Sequence, residues 1–284
     1  MKMTLLKMGR ARWTAGAAIA LLALGVLGSA PALAGISATK HNLGSGGSGA
    51  NKFSGTAEIC VFCHTPHGAD TSAAVPLWNR VLAAPTTYQT YNSLGTSSLD
   101  GKTAPVGSVS LACLSCHDGA QAMNVMINQP GSGTTNAAFG LGTWTGSGQL
   151  NGATITNIGT DLKNDHPIGI QYGGGMTGNV GYTQGPIAAG ALRDADFRGV
   201  QWSNLNGNDV WWVDTPGIGT AGTREKTDMQ LYTRAATGTS PVAGTTGNQA
   251  LVECASCHDP HSENVTFLRV PNTNSTVCLA CHIK

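Results

Sequence analysis

The sequence is short of charged and aromatic residues. Charged residues make up 11% of the 284 positions and aromatic residues 6%, whereas about 25% charged residues is typical of soluble proteins. This composition argues against a charge-rich disordered chain and against an aromatic-rich enzyme core. The sequence contains no basic patch, which argues against a nucleic-acid partner. Glycine is abundant, with 39 residues, about twice its average usage of 7%.

Residues 1–34 have the features of a signal peptide. Four basic residues and no acidic residue precede an apolar stretch at 15–27, which ends in the small-x-small pattern at 32–34. That stretch is too short and too broken by glycine to span a bilayer comfortably, so we expect no stable membrane insertion. The mature chain, residues 35–284, is predicted to be exported. Removal of the four basic residues leaves 12 basic against 15 acidic side chains, which favours cationic or metallic partners.

The eight cysteines and four of the eight histidines form four CxxCH units. Two thiols separated by two residues can reach both vinyl groups of one haem, and the next residue places an imidazole under the iron. A disulfide framework or paired zinc sites would also use eight cysteines, but neither requires a histidine directly after each pair. The sequence therefore predicts four covalently attached haem c groups. The units are Cys60, Cys63 and His64; Cys113, Cys116 and His117; Cys254, Cys257 and His258; and Cys278, Cys281 and His282.

Four further histidines match the number of predicted irons. They are His41, His67, His166 and His261, and we expect them to be the distal ligands. Two histidines on every iron close the sixth coordination position, which indicates electron transfer and no catalytic residue. The four methionines that follow residue 34 are interpreted as packing residues.

Two of these histidines lie in a repeated pattern, CxxCH-[Thr/Asp]-Pro-His. A side chain three residues after the proximal ligand projects to the same side, so His67 and His261 must each serve a neighbouring iron. We assign His67 to the haem on Cys113 and Cys116, and His261 to the haem on Cys278 and Cys281. His41 and His166 then serve the other two haems, in an order that stays open. His41 follows the predicted mature start and adjoins a flexible Gly/Ser-rich tract, so it could fold back or reach the next subunit.

Each doubled motif is followed by a plain CxxCH unit, which predicts a dihaem module used twice, near 60–117 and 254–282. Residues 76–81 and 266–270 fall at comparable places in the two copies. The segment between the modules, 118–253, is rich in Gly, Thr and Asn. We expect a multihaem cytochrome c fold of mostly irregular coil, with short helices and a few short strands wrapped around a chain of four haems that supply much of the apolar interior.

Short apolar runs at 190–192 and 210–213 predict strands within this middle segment. Residues 217–222 match the GxGxxG dinucleotide pattern. No helix-like stretch follows, so a turn-rich loop is the better interpretation.

The motif set resembles the doubled-CxxCH multihaem cytochromes and, more narrowly, the OmcE-type tetrahaem cytochromes of metal-reducing bacteria. The residues that carry the resemblance are CVFCHTPHG at 60–68, CLSCHDG at 113–119, CASCHDPH at 254–261 and CLACH at 278–282. The resemblance implies bis-histidine haems stacked in a continuous chain, and polymerisation into an extracellular nanowire. It also implies an axial histidine that crosses a subunit boundary, for which His41 is the candidate.

The leading hypothesis is therefore an exported tetrahaem electron conduit that polymerises into an extracellular or cell-surface filament. Its expected partners are other copies of the chain, redox partner cytochromes and extracellular or metal electron acceptors. The alternatives are a monomeric periplasmic shuttle and a multihaem reductase with one open iron.

Overall fold

The computed structural model describes residues 35–130, 142–143, 148–150, 154–234, 242 and 244–283. The described residues belong to one compact unit that begins at Gly35. The predicted signal peptide lies outside the described residues.

The helices are short, and three of the four CxxCH units lie wholly or partly on them. Helix α1 spans Ser108–His117 and contains the second unit, α2 spans Cys254–Cys257, and α3 spans Thr276–Leu279. The first unit begins on a single 3-10 turn at Cys60–Phe62. One helical turn places two side chains three residues apart on the same face, which is the arrangement that two thioether bonds to one haem require. No helix among the described residues is long and apolar enough to cross a membrane.

The middle segment contributes most of a five-stranded antiparallel sheet. Its strand order is β3-β7-β6-β5-β4, and a separate pair is formed by β1 and β2. In register, Ile170 pairs with Val252, Tyr232 with Leu251, and Trp202 with Trp211. The strands are β1 Lys52–Phe53, β2 Gly142–Thr143, β3 Ile170–Gln171, β4 Gln201–Leu205, β5 Asn208–Val213, β6 Met229–Arg234 and β7 Gln249–Val252.

Two of the sequence expectations for this segment are confirmed and one is wrong. The run 210–213 lies in β5, and the glycines of 217–222 adopt positive φ in turns between β5 and β6, as at Gly217 (φ 73°). The run 190–192 is not a strand, because Ala189–Ala191 forms a 3-10 turn. Three small residues offer too little side chain to pack as a strand, and a turn is the usual outcome.

The sheet has a hydrophobic core made by the protein itself. The larger cluster of buried side chains surrounds the sheet, so protein side chains supply part of the apolar interior beside the share expected from haem. β-branched, aromatic and long aliphatic side chains from separate strands pack together there. Each apolar stretch of the sequence is too short to predict, by itself, that its side chains are buried. The cluster comprises Ile170, Tyr172, Tyr182, Ile187, Leu192, Val200, Trp211, Val213, Met229, Leu231, Ala250, Val252, Val270 and Ala280.

Candidate metal centres

Each CxxCH unit lies beside the unit that follows it in the chain. Burial raises the pKa of Cys63 to about 12, and the nearby Cys116 adds to that rise. The thiol of Cys113 donates a hydrogen bond to the sulfur of Cys254, which raises the pKa of Cys113 well above its usual range. Burial and the neighbouring Cys257 raise the pKa of Cys281 to about 12. All eight thiols are free, so each pair is available for thioether bonds.

A buried carboxylate joins the second unit to the third. The side chain of Glu253 has no exposed surface and pairs with Arg234. Its Oε2 accepts a hydrogen bond from Ser110 Oγ at 2.6 Å, and Ser110 Oγ in turn accepts from the Cys254 backbone N–H at 3.0 Å. Burial raises the pKa of Glu253, and Arg234 opposes the rise. This network fixes the start of α2 against α1.

Three proximal histidines are oriented by backbone carbonyls. In each, Nδ1 lies within hydrogen-bonding distance of a carbonyl oxygen, so Nδ1 carries the proton and Nε2 is left to bind a metal. A hydrogen bond of this kind also fixes the rotation of the ring. The pairs are His64 with Pro76 at 2.7 Å, His117 with Thr156 at 2.8 Å, and His258 with Thr266 at 2.8 Å.

Three of the units are also held by a short stretch of backbone, which we call a clamp segment. The clamp segments are 76–80 for the first unit, 266–270 for the third and 197–199 for the fourth. Each forms a β-bridge with the proximal histidine: His64 with Trp78, His258 with Leu268, and His282 with Phe197. The next residue of each segment donates its backbone N–H to the carbonyl of the second cysteine: Asn79 to Cys63 (2.9 Å), Arg269 to Cys257 (2.8 Å) and Arg198 to Cys281 (2.9 Å).

The side chains of the same three residues complete the clamp. Each donates to the carbonyl oxygen of the residue that follows the first cysteine. These bonds are Asn79 Nδ2 to Val61 (2.6 Å), Arg269 Nε to Ala255 (3.1 Å) and Arg198 Nε to Leu279 (2.8 Å). The sequence signal for the first two was the correspondence between 76–81 and 266–270. Arg198 had no such signal, because it lies 80 positions before its unit in the chain.

Two pairs of histidines face one another at the spacing of axial ligands. A metal–imidazole nitrogen bond is about 2.0–2.1 Å long, so two imidazoles on opposite sides of one metal have ring centroids roughly 6 Å apart. The centroid distance is 6.3 Å between His64 and His261 and 6.1 Å between His41 and His117. Each pair combines one proximal histidine with one of the predicted distal histidines. The residues therefore fit an iron that has two imidazole ligands.

This pairing differs from the assignments made from sequence, which stay predictions. The ring of His261 lies near His64 of the first unit, whereas we assigned it to the fourth unit. The ring of His41 lies near His117, which we assigned to His67. His261 and His64 are almost 200 residues apart in the chain, so no local pattern in the sequence could suggest this pair.

His41 is held within its own chain. Its ring stacks on Phe267 with centroids 4.0 Å apart, and its Nδ1 lies 3.4 Å from the carbonyl oxygen of Pro260. Burial lowers the pKa of His41 to about 4, and His117 contributes further. The ring is therefore neutral at physiological pH, which is the form that binds metals. This placement agrees with the alternative in which His41 folds back onto its own chain.

His67 and His166 have different surroundings. Both are exposed, and within the described part of the chain neither contacts another histidine ring. The Nδ1 of His166 lies 3.2 Å from the carbonyl oxygen of Pro167, which leaves its Nε2 free as well.

The described residues contain no group of three or more His, Cys, Asp or Glu side chains arranged to hold a metal ion. Two protein ligands suffice for haem iron, because the porphyrin supplies the other four nitrogens.

Comparison with known families agrees with this chemistry. Residues 247–284 match the family described as "Doubled CXXCH motif", a range that includes the third and fourth units. No curated protein matches the chain. The family match supports a multihaem c-type cytochrome that binds haem c covalently and carries electrons.

Proposed function

We propose that the protein is an exported tetrahaem cytochrome in which every iron has two histidine ligands, and that it polymerises into an extracellular electron-conducting filament of the OmcE type. The observation that carries the electron-transfer role is the pairing of His64 with His261 and of His41 with His117 at 6.3 and 6.1 Å. An iron with both axial positions filled by imidazole has no site for a substrate, so it exchanges electrons only.

When bound, each haem supplies one iron that alternates between the ferric and ferrous states. The chain's own residues hold the ligands still during that change. Backbone carbonyls fix the proximal rings, and the clamp segments fix the backbone of the units. The Ser110–Glu253 network keeps the second and third units adjacent, which shortens the electron-transfer distance between their haems.

The proposal of self-association is supported by the two remaining histidines. The haems on the third and fourth units need distal ligands, and His67 and His166 are exposed. An exposed imidazole can serve an iron of the same chain or of an adjacent subunit. We propose that at least one of them binds an iron of the next copy and so links subunits.

Electron microscopy and size-exclusion chromatography of the native haem-loaded protein test this proposal. Filaments with a regular subunit repeat are expected, and His67→Ala or His166→Ala should shorten or abolish them. His41→Ala is the matched control, because its iron belongs to the same chain. Discrete monomers that retain four low-spin haems would contradict the filament and favour a periplasmic shuttle. Stoichiometric carbon monoxide binding to the reduced wild-type protein would instead favour a reductase with an open iron.

A further inference from the structure

A buried cation lies between the first and second units. Arg80 is 1% exposed, and its guanidinium donates to the carbonyl oxygens of Ser115 (2.9 Å), Ala122 (2.8 Å) and Met123 (3.0 Å). Its Nε has no hydrogen-bond partner. No carboxylate among the described residues forms a salt bridge with it. A buried charge that lacks a counter-ion is costly, so its position calls for an explanation beyond packing.

This charge lies beside the backbone of two haem attachment points. The guanidinium donates to the carbonyl oxygen of Ser115, which lies between the two cysteines of the second unit. Arg80 also directly follows Asn79, whose side chain and backbone N–H donate to the carbonyl oxygens of Val61 and Cys63 in the first unit. One buried cation is therefore next to both units of the first module.

The second module lacks this charge. Arg80 follows Asn79 of the first clamp segment, and the residue that follows Arg269 is Val270, which is fully buried. Arg269 and Arg198 lie near Cys257 and Cys281, but both are half-buried, so water screens them more strongly. In the first module the buried carboxylate of Asp118 directly follows His117 and so partly offsets the charge of Arg80 at the second unit.

We propose that Arg80 raises the reduction potentials of the haems in the first module and so directs electrons from the second module toward the first. This inference rests on the proposed binding of haem. Reduction adds one electron to an iron and needs no proton, and a nearby buried cation stabilises the more negative reduced state. At equilibrium electrons therefore reside preferentially on the haems of residues 60–117.

A spectropotentiometric titration of the full-length, haem-loaded Arg80→Met variant tests this. At a fixed potential the ferrous-to-ferric ratio of the most affected haem should fall roughly tenfold, which is about 59 mV for a one-electron couple. Arg80→Lys should retain most of the wild-type potential because it keeps the charge. Arg269→Met removes a half-buried cation from the second module and should give a smaller shift.

Arg80 also ties three carbonyls together, so a lower stability of the variant does not count as support. Unchanged potentials in a variant with normal haem content and low-spin spectra would overturn the inference. If Arg80→Met does not load haem, Cys60→Ser with Cys63→Ser tests the direction of electron flow in a chain that keeps Arg80. Loss of one of the two higher-potential couples is expected, and loss of one of the two lower-potential couples contradicts the inference. A wild-type chain with no covalent haem would refute the proposed function itself.

Discussion

The two doubled motifs share a backbone and differ in their side chains. In both, the proximal histidine donates to a carbonyl of the clamp segment, Pro76 in one and Thr266 in the other. Both clamp segments contain a residue in the left-handed region, Leu77 (φ 57°) and Phe267 (φ 58°). The clamp segments of the two motifs therefore hold the CxxCH unit with similar backbone conformations. Their side chains differ, and these differences determine the local charge and the contribution to stability.

The largest difference concerns the histidine that ends each doubled motif. His261 lies 6.3 Å from His64 between ring centroids, whereas the equivalent His67 contacts no other histidine ring in the described part of the chain. His261→Ala should therefore open the first iron, and the reduced protein should bind about one carbon monoxide per chain, because a bis-histidine iron has no vacant position. Visible spectra of the reduced protein with and without carbon monoxide measure this.

A background without the first haem, made with Cys60→Ser and Cys63→Ser, is the control. In that background His261→Ala should add no carbon monoxide binding. If His261→Ala leaves every iron six-coordinate in the otherwise native chain, the pairing of His261 with His64 is wrong.

The clamp residues should differ in their contribution to stability. Asn79 is completely buried, donates to Val61 and Asn128 (2.8 Å), and accepts from the Asn128 backbone N–H (2.9 Å). Asn79→Ala leaves these buried groups unsatisfied and should lower the free energy of unfolding by about 2–4 kcal/mol. Arg269→Ala should cost about 1–2 kcal/mol, because water can replace part of its contacts. Denaturant unfolding of the haem-loaded variants measures both, and a larger loss for Arg269→Ala would reverse this ranking.

These residues also show how far sequence reasoning reached. The CxxCH spacing identified the metal-binding chemistry because that chemistry is local: two thiols and an imidazole within five positions. The matching of distal to proximal histidines is not local, since it depends on contacts such as that between His64 and His261, which are almost 200 residues apart. The sheet core was missed for a related reason. Its strands are two to six residues long, and only their pairing makes a continuous apolar face.

The residue before the first cysteine is ionisable in one doubled motif and apolar in the other. We therefore expect this position to make the stability depend on pH in one motif only. Glu253 precedes Cys254, and Ile59 precedes Cys60. Burial raises the pKa of Glu253 in the folded protein, so the folded state binds the proton more tightly than the unfolded state. This contribution to stability is present at low pH and is lost as the pH rises from the ordinary glutamate pKa through the raised folded value. Glu253→Gln should remove that part of the slope, as unfolding measurements across this pH range would show. An unchanged slope would mean that other groups dominate it.

The smallest expected effect on stability concerns two residues that share a backbone conformation but differ in what their side chains contact. Leu77 and Phe267 both adopt positive φ, which costs a non-glycine residue about 1–2 kcal/mol, and glycine relieves it at an entropic cost of about 0.5–1 kcal/mol. Leu77 is 52% exposed, so Leu77→Gly should change stability by less than about 1 kcal/mol and in the stabilising direction. Phe267→Gly also removes the ring that stacks on His41 at 4.0 Å. It should therefore be net destabilising by about 1–2 kcal/mol, with a change in the low-spin spectrum of the second haem. If both substitutions had the same sign, the backbone conformation alone would govern the two sites, and the stacking of Phe267 on His41 would contribute nothing to holding that ligand.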